Sequence, residues 1–135
     1  MAEPLLVFAD VERFLVDRLR DRSELTGVLV DTMPPPGFDG TRRAVLISRV
    51  GGAWVDDLRL DQALVELEAF GPDKAAAHAT ALVARAAVLA VRGLGYPGGR
   101  VTDVVEEDGP RWLPDYRHPQ GRRYVAVLRV VLAAS

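Results

Sequence analysis

The sequence predicts an α+β fold, on three observations. Strand-like stretches come in runs, without a helix after each one. Two stretches alone repeat apolar residues at helical spacing. Both helices can cover the same side of a sheet, which leaves the other side to face outward. The expectation is a mostly antiparallel sheet of four to five strands with two helices packed on one face. The expected order is α-β-β-β-α-β-β, in a single domain spanning residues 1–135.

Each element has its own warrant. Asp10 is a natural N-cap for a helix running to about Arg20, in which Val11, Phe14, Leu15 and Leu19 recur at helical spacing. "GVLV" (Gly27–Val30) reads as a short strand. "DTMPPPGFDG" follows, and its consecutive prolines stiffen an extended loop. "RRAVLISRV" (Arg42–Val50) is a strand whose expected end is Gly51-Gly52, and "ALVELEAF" (Ala63–Phe70) is the next. Gly71-Pro72-Asp73 then launches the longest helix, from Lys74 to about Arg92. It is rich in alanine, with Lys74, His78, Arg85 and Arg92 on one narrow arc. "RVTDVVEE" (Arg100–Glu107) and "RRYVAVLRVVL" (Arg122–Leu132) complete the strands, separated by "DGPRWLPDYRHPQG".

Bulk composition excludes several classes of function. The chain has no cysteine, so thiolate metal sites and cysteine nucleophiles are ruled out. Net charge is −2, and every basic residue but Lys74 is arginine, so nothing suggests bulk attraction to nucleic acid. No apolar run is long enough to span a bilayer, and "PLLVFA" is too short for a signal-peptide core.

Motifs that promise chemistry are weak. Gly93, Gly95 and Gly98 spell a G-x-G-x-x-G, but they follow a helix and precede a strand, the reverse of a dinucleotide loop. Gly93 is expected to cap the long helix and Gly98-Gly99 to turn the chain into the next strand. His78 reads as a solvated residue of the charged arc. His118 follows Asp115 by three residues, a D-x-x-H pair in a proline-rich loop with no further catalytic partner in view. The acidic pairs at Asp56-Asp57 and Glu106–Asp108 lack the alternating spacing of a calcium loop, and Ser23, Ser48 and Ser135 have no nucleophile-elbow context. No catalytic residue, cofactor or metal is expected.

One pattern points toward association. Arg123, Val125, Val127, Arg129 and Val131 alternate on one side of the last strand. "RRAVLISRV" likewise mixes arginines with branched aliphatics, and a neighbouring strand carries Glu66 and Glu68. Such a mixed face suits self-association better than plain solvent exposure.

Taken together, the residues "DVERFLVDRLRD", "GVLVDTMPPP", "SRVGGAW", "GPDKAAAHATALVARAAVLAV" and "EEDGPRWLPDY…GRRYVAVLRVVL" resemble the tail terminator proteins of long-tailed bacteriophages, especially those of actinobacteria. The W-x-P-D stretch (Trp112, Pro114, Asp115) ahead of the terminal strand is the most specific part. The resemblance implies a virion protein that forms a ring, typically a hexamer, on the head-proximal end of the tail tube. Such a ring ends tube polymerisation and offers the joint to the head connector. Its partners would be other copies of itself, the major tail tube protein and the head–tail connector protein, with neither sequence-specific nucleic acid binding nor a membrane. A head–tail connector or tail-completion protein, or a small-molecule-binding or hydrolytic domain using Asp115 and His118, remain alternatives. The expected assembly surface is the pair of stiff loops Thr32–Gly40 and Gly109–Gly121. Their candidates are Pro35, Phe38, Arg111, Trp112, Tyr116 and Arg117, with Arg49 and Trp54 added from the strand that ends in "SRVGGAW".

Overall fold

The computed structural model describes residues 4–118 and 120–134. Pro119, in the second predicted loop, and Ser135 lie outside the described residues. The chain is α+β as expected, built from helix α1 (Val11–Arg20), strands β1 (Leu29–Asp31), β2 (Ala44–Val55) and β3 (Leu60–Gly71), helix α2 (Lys74–Leu89), and strands β4 (Gly95–Tyr96), β5 (Gly99–Trp112) and β6 (Arg122–Ala134). The sheet has six strands, not four to five, in the order β1-β2-β3-β6-β5-β4, so the element order becomes α-β-β-β-α-β-β-β. The added strand β4 has only two residues, too few for a periodic signal.

Both helices start where their caps predict. Asp10 accepts the Arg13 N–H at 3.2 Å, and Asp73 accepts the Ala76 N–H at 2.8 Å. The long helix ends at Leu89 with Ala90 as its cap, before the predicted Arg92. Gly93 (φ +85°) belongs to the following turn, where its N–H bonds the Val101 carbonyl at 2.8 Å. Pro97 and Gly98 (φ +89°) then form the corner between β4 and β5, the residue pattern of a type II turn. The glycine motif is therefore a helix exit and a hairpin, not a phosphate cradle.

The main core lies between the helices and one sheet face. Val11, Leu15, Val16 and Leu19 of α1 and Ala84, Ala87 and Val88 of α2 meet Val45, Ile47, Ala63, Val65, Leu67, Ala126, Leu128, Val130 and Leu132. Small residues along α2 let it approach β3 and β6 closely, as Gly71 shows, where an added Cβ would lie 2.6 Å from the Ala77 nitrogen.

Three strand predictions need correction. β1 pairs parallel with β2 through Leu29↔Ala44 to Asp31↔Leu46, so it spans Leu29–Asp31 and not Gly27–Val30. β2 does not stop at Gly51-Gly52. Register shifts between Arg49 and Gly51, and a Cβ at Gly52 would lie 1.9 Å from the Gln62 carbonyl oxygen. Those glycines therefore make a bulge and a close approach that carry the strand on to Val55. β5 likewise runs past Glu107, through Gly109 and Pro110, to Trp112. Pro110 is tolerated because this part of β5 is a sheet edge with further register shifts at Glu106/Asp108 and Asp108/Arg111.

Candidate assembly surfaces

Two ends of the sheet differ in how the chain finishes them. At one end, the starts of β2 and β6 and the ends of β3 and β5 meet the loops 32–43 and 113–121. We call this the loop pole. The β2–β3 hairpin (Asp56–Arg59), the segment before α1 and the β4–β5 turn lie at the other end, the hairpin pole.

At the loop pole the proline-rich loop folds over the sheet face that the helices leave open. Ala44, Leu46 and Phe70 are buried there, with Leu29 and Phe38 packed on them. Phe38 meets Phe70 edge-on at 5.1 Å and the His118 ring at 5.2 Å. The two loops cross where neither can carry a side chain. A Cβ at Gly121 would lie 2.7 Å from the Gly40 carbonyl oxygen, and one at Gly40 would lie 3.0 Å from the His118 Cβ.

Asp115 ties the second loop together. Its buried carboxylate accepts the Arg117 N–H at 3.0 Å and the Arg117 Nε at 3.2 Å, and it pairs with His118 Nδ1 at 2.9 Å. Burial alone would oppose its ionisation. The hydrogen bonds from His118 and from the Arg117 backbone and guanidinium, with the charge of Arg123, outweigh this and hold its pKa at about 2. Arg123 also donates to Glu68 at 2.6 Å, with both side chains largely buried. Beside this pair, burial and the Glu68 charge raise the Glu66 pKa.

The D-x-x-H pair thus forms, but as part of a saturated clasp. Thr32 and Ser48 line the same small cleft of about 160 Å³ as Asp115 and His118. No hydroxyl donates to the imidazole among the described residues. Nor does any group of three or more His, Asp or Glu side chains there have a metal-holding arrangement. His78 is exposed, as expected, and its ring also stacks on Tyr124 at 4.7 Å.

The predicted assembly residues divide sharply. Phe38 serves the chain's own packing, and Pro35 is half-buried. Trp112 is also half-buried. It meets Tyr124 at 5.4 Å and has the Lys74 ammonium over its ring at 5.0 Å, so it folds back on its own core. Arg111 pairs with Asp108 at 3.2 Å and Arg117 with Asp115. Tyr116 is free, 96% exposed beside a cleft of about 310 Å³ that Trp112, Pro114 and Arg122 also line. Arg49 and Trp54 lie well away, toward the hairpin pole.

Sequence reasoning reached this pole only through Arg49 and Trp54 and missed the arm beside them. There Arg49 grips Asp61 through two hydrogen bonds of 2.7 Å each. Residues 4–9 run as an arm beside the hairpin, and Phe8 meets Trp54 edge-on at 5.4 Å. A groove of about 460 Å³ separates the arm from Arg49, Gly52, Ala53, Trp54 and Asp61. Leu5, Val7, Val50, Trp54 and Leu58 are all exposed here, more large apolar side chains than the loop pole shows. The available signal was "PLLVFA" and "VGGAWV", two uncharged stretches with apolar residues at both odd and even positions.

The remaining open face is mixed, as the alternation predicted. Val125 and Val131 are nearly buried, Val105 is exposed, and Arg129 pairs with Glu107 at 3.1 Å.

No family model matches the sequence, and no curated protein matches it. Among solved structures, the chain is similar to one from the virion of a native gene transfer agent (GTA) particle. The TM-score is 0.68 at 19% identity, over 90% of this chain and 93% of that one. At that identity the likeness is one of fold.

Proposed function

We propose that this chain is a structural virion protein of a phage-like particle that acts without catalysis. Its subunits form a closed ring, of hexameric type, on the head-proximal end of the tail tube. That ring ends tube polymerisation and provides the joint to the head connector. The fold shared with the gene transfer agent chain, over nearly the full length of both, carries this reading. Two features support it. The hairpin pole leaves apolar side chains uncovered, as the open sheet face does at Val105, and a ring needs two different complementary surfaces on every subunit. The clasp at Asp115 and His118 spends its hydrogen-bonding capacity within its own loop, as a structural element does.

Electron microscopy of the purified protein, alone and mixed with tail tubes of its own particle, tests the reading. Closed rings, free or seated at one tube end, are expected, with subunit interfaces of about 1,000 Å² or more. A protein that stays monomeric and leaves tube ends bare would overturn it.

A further inference from the structure

The unusual feature of the hairpin pole is that two unsatisfied halves lie side by side without joining. β1 covers β2 only through Leu46, so the outer edge of β2 beyond that point meets no strand among the described residues. Glu12 accepts the Arg49 N–H at 2.7 Å, and the Arg49 Nε donates to the Gly51 carbonyl at 2.9 Å. These contacts close the edge as far as Gly51. From Gly52 to Val55 it stays open, uncharged and free of proline. The arm, residues 4–9, is also uncharged and makes no backbone–backbone hydrogen bond among the described residues. It lies against Trp54 through Phe8, while Leu5 (88% exposed) and Val7 (80% exposed) project into solvent.

The opposite edge is guarded. β5 shifts register three times along its length and carries Asp103, Glu106, Glu107 and Asp108. The Arg92 guanidinium donates to its Val104 carbonyl. Bulges and charges of this kind repel a further strand, and the Gly52–Val55 stretch of β2 carries neither.

We infer that the arm of one subunit adds as a strand to the Gly52–Val55 edge of a second copy of this chain, burying Leu5 and Val7 against that copy's Trp54. Every subunit carries one arm and one edge, so the contact is head-to-tail, the kind from which closed rings are built. Main-chain hydrogen bonds supply the attraction, and the apolar side chains set which stretch of arm is used. Because neither half is charged, the contact forms without charge neutralisation and is insensitive to salt. This inference rests on the ring reading above and specifies its subunit joint.

The absence of cysteine makes the test direct. Val7→Cys and Ala53→Cys are made in separate, isotopically distinguishable proteins, mixed, assembled and treated with a short bis-maleimide. Position 7 of one copy linked to position 53 of another is the expected product. Rings that yield no link between position 7 and position 53, or only position 53 to position 53, overturn the arm–edge joint and leave the ring reading standing. Failure to form rings removes both. As a second arm, Leu5→Ser/Val7→Ser should weaken assembly at least tenfold with an unchanged melting temperature, since both side chains are exposed. Unchanged assembly would overturn the proposal.

Discussion

The loop pole and the hairpin pole invert what their compositions advertise. The loop pole holds the aromatic and arginine residues usually found at interfaces, in stiff proline-bearing loops. Most of them are already engaged. Phe38 caps Phe70, Trp112 lies on Tyr124, and Arg117 and Arg123 hold Asp115 and Glu68. The arm and the Gly51–Val55 edge at the hairpin pole are uncharged, and Leu5, Val7, Val50, Trp54 and Leu58 are exposed there. The difference teaches that residue type marks what could bind, whereas unsatisfied surface and backbone mark what still has binding left to do.

The largest test of this contrast is Phe70→Ala. Phe70 is fully buried beneath the proline-rich loop, so truncation should destabilise the fold by about 3–5 kcal/mol. Denaturant unfolding would measure it. A loss below about 1 kcal/mol would mean that the loop is held elsewhere and that the loop pole is looser than described.

Acid should find the loop pole next. The Asp115 pKa falls from its ordinary 3.8 to about 2, a depressed carboxylate, so its stabilising contribution is full above pH 4. That contribution, about 2 kcal/mol, is lost as pH falls through about 2. Asp115→Asn should remove this part of the acid dependence, read from melting temperature against pH. A variant retaining the same acid slope would remove Asp115 from the clasp.

Two tryptophans then sharpen the comparison directly. Trp112→Ala should lower monomer stability by about 1–2 kcal/mol, because its ring meets Tyr124 and Lys74. Trp54→Ala should cost the monomer under about 1 kcal/mol, and cost assembly about 2 kcal/mol or more. Melting curves and ring yield measured on both variants would show the pattern or its reverse. The smallest effect is expected at the hairpin tip. Arg59 has φ +54°, a left-handed conformation that disfavours a side chain, so Arg59→Gly should be stabilising by about 0.5 kcal/mol.

Much of the fold was legible because it depends on local signals. Asp10 and Asp73 announced both helices, and alternation announced β6 and β3, the latter switching burial at almost every residue. The errors arose where tertiary contact reassigns a local cue. Gly51-Gly52 and Gly109-Pro110 look like stops, but each is a bulge inside a paired strand, and pairing with β3 or β6 outweighs local preference. The Asp115–His118 pair was visible as a spacing, but its partners Arg117 and Arg123 acquire meaning only once two strands and a loop converge. The hairpin pole was the least legible. Exposure of Leu5 and Val7 follows from what fails to cover them, and no pattern in the sequence records an absent neighbour.

The three bulges of β5 also bear on what happens when the protein is crowded. Stacking sheets edge to edge into a fibre requires two receptive edges on every molecule. Here the β5 edge interrupts its own ladder of donors and acceptors at Val101/Asp103, Glu106/Asp108 and Asp108/Arg111. Edge-to-edge pairing therefore has a single receptive side, β2, and stops at two molecules. A β-rich chain thus carries its own safeguard against amyloid-like growth, written into the irregularity of one strand.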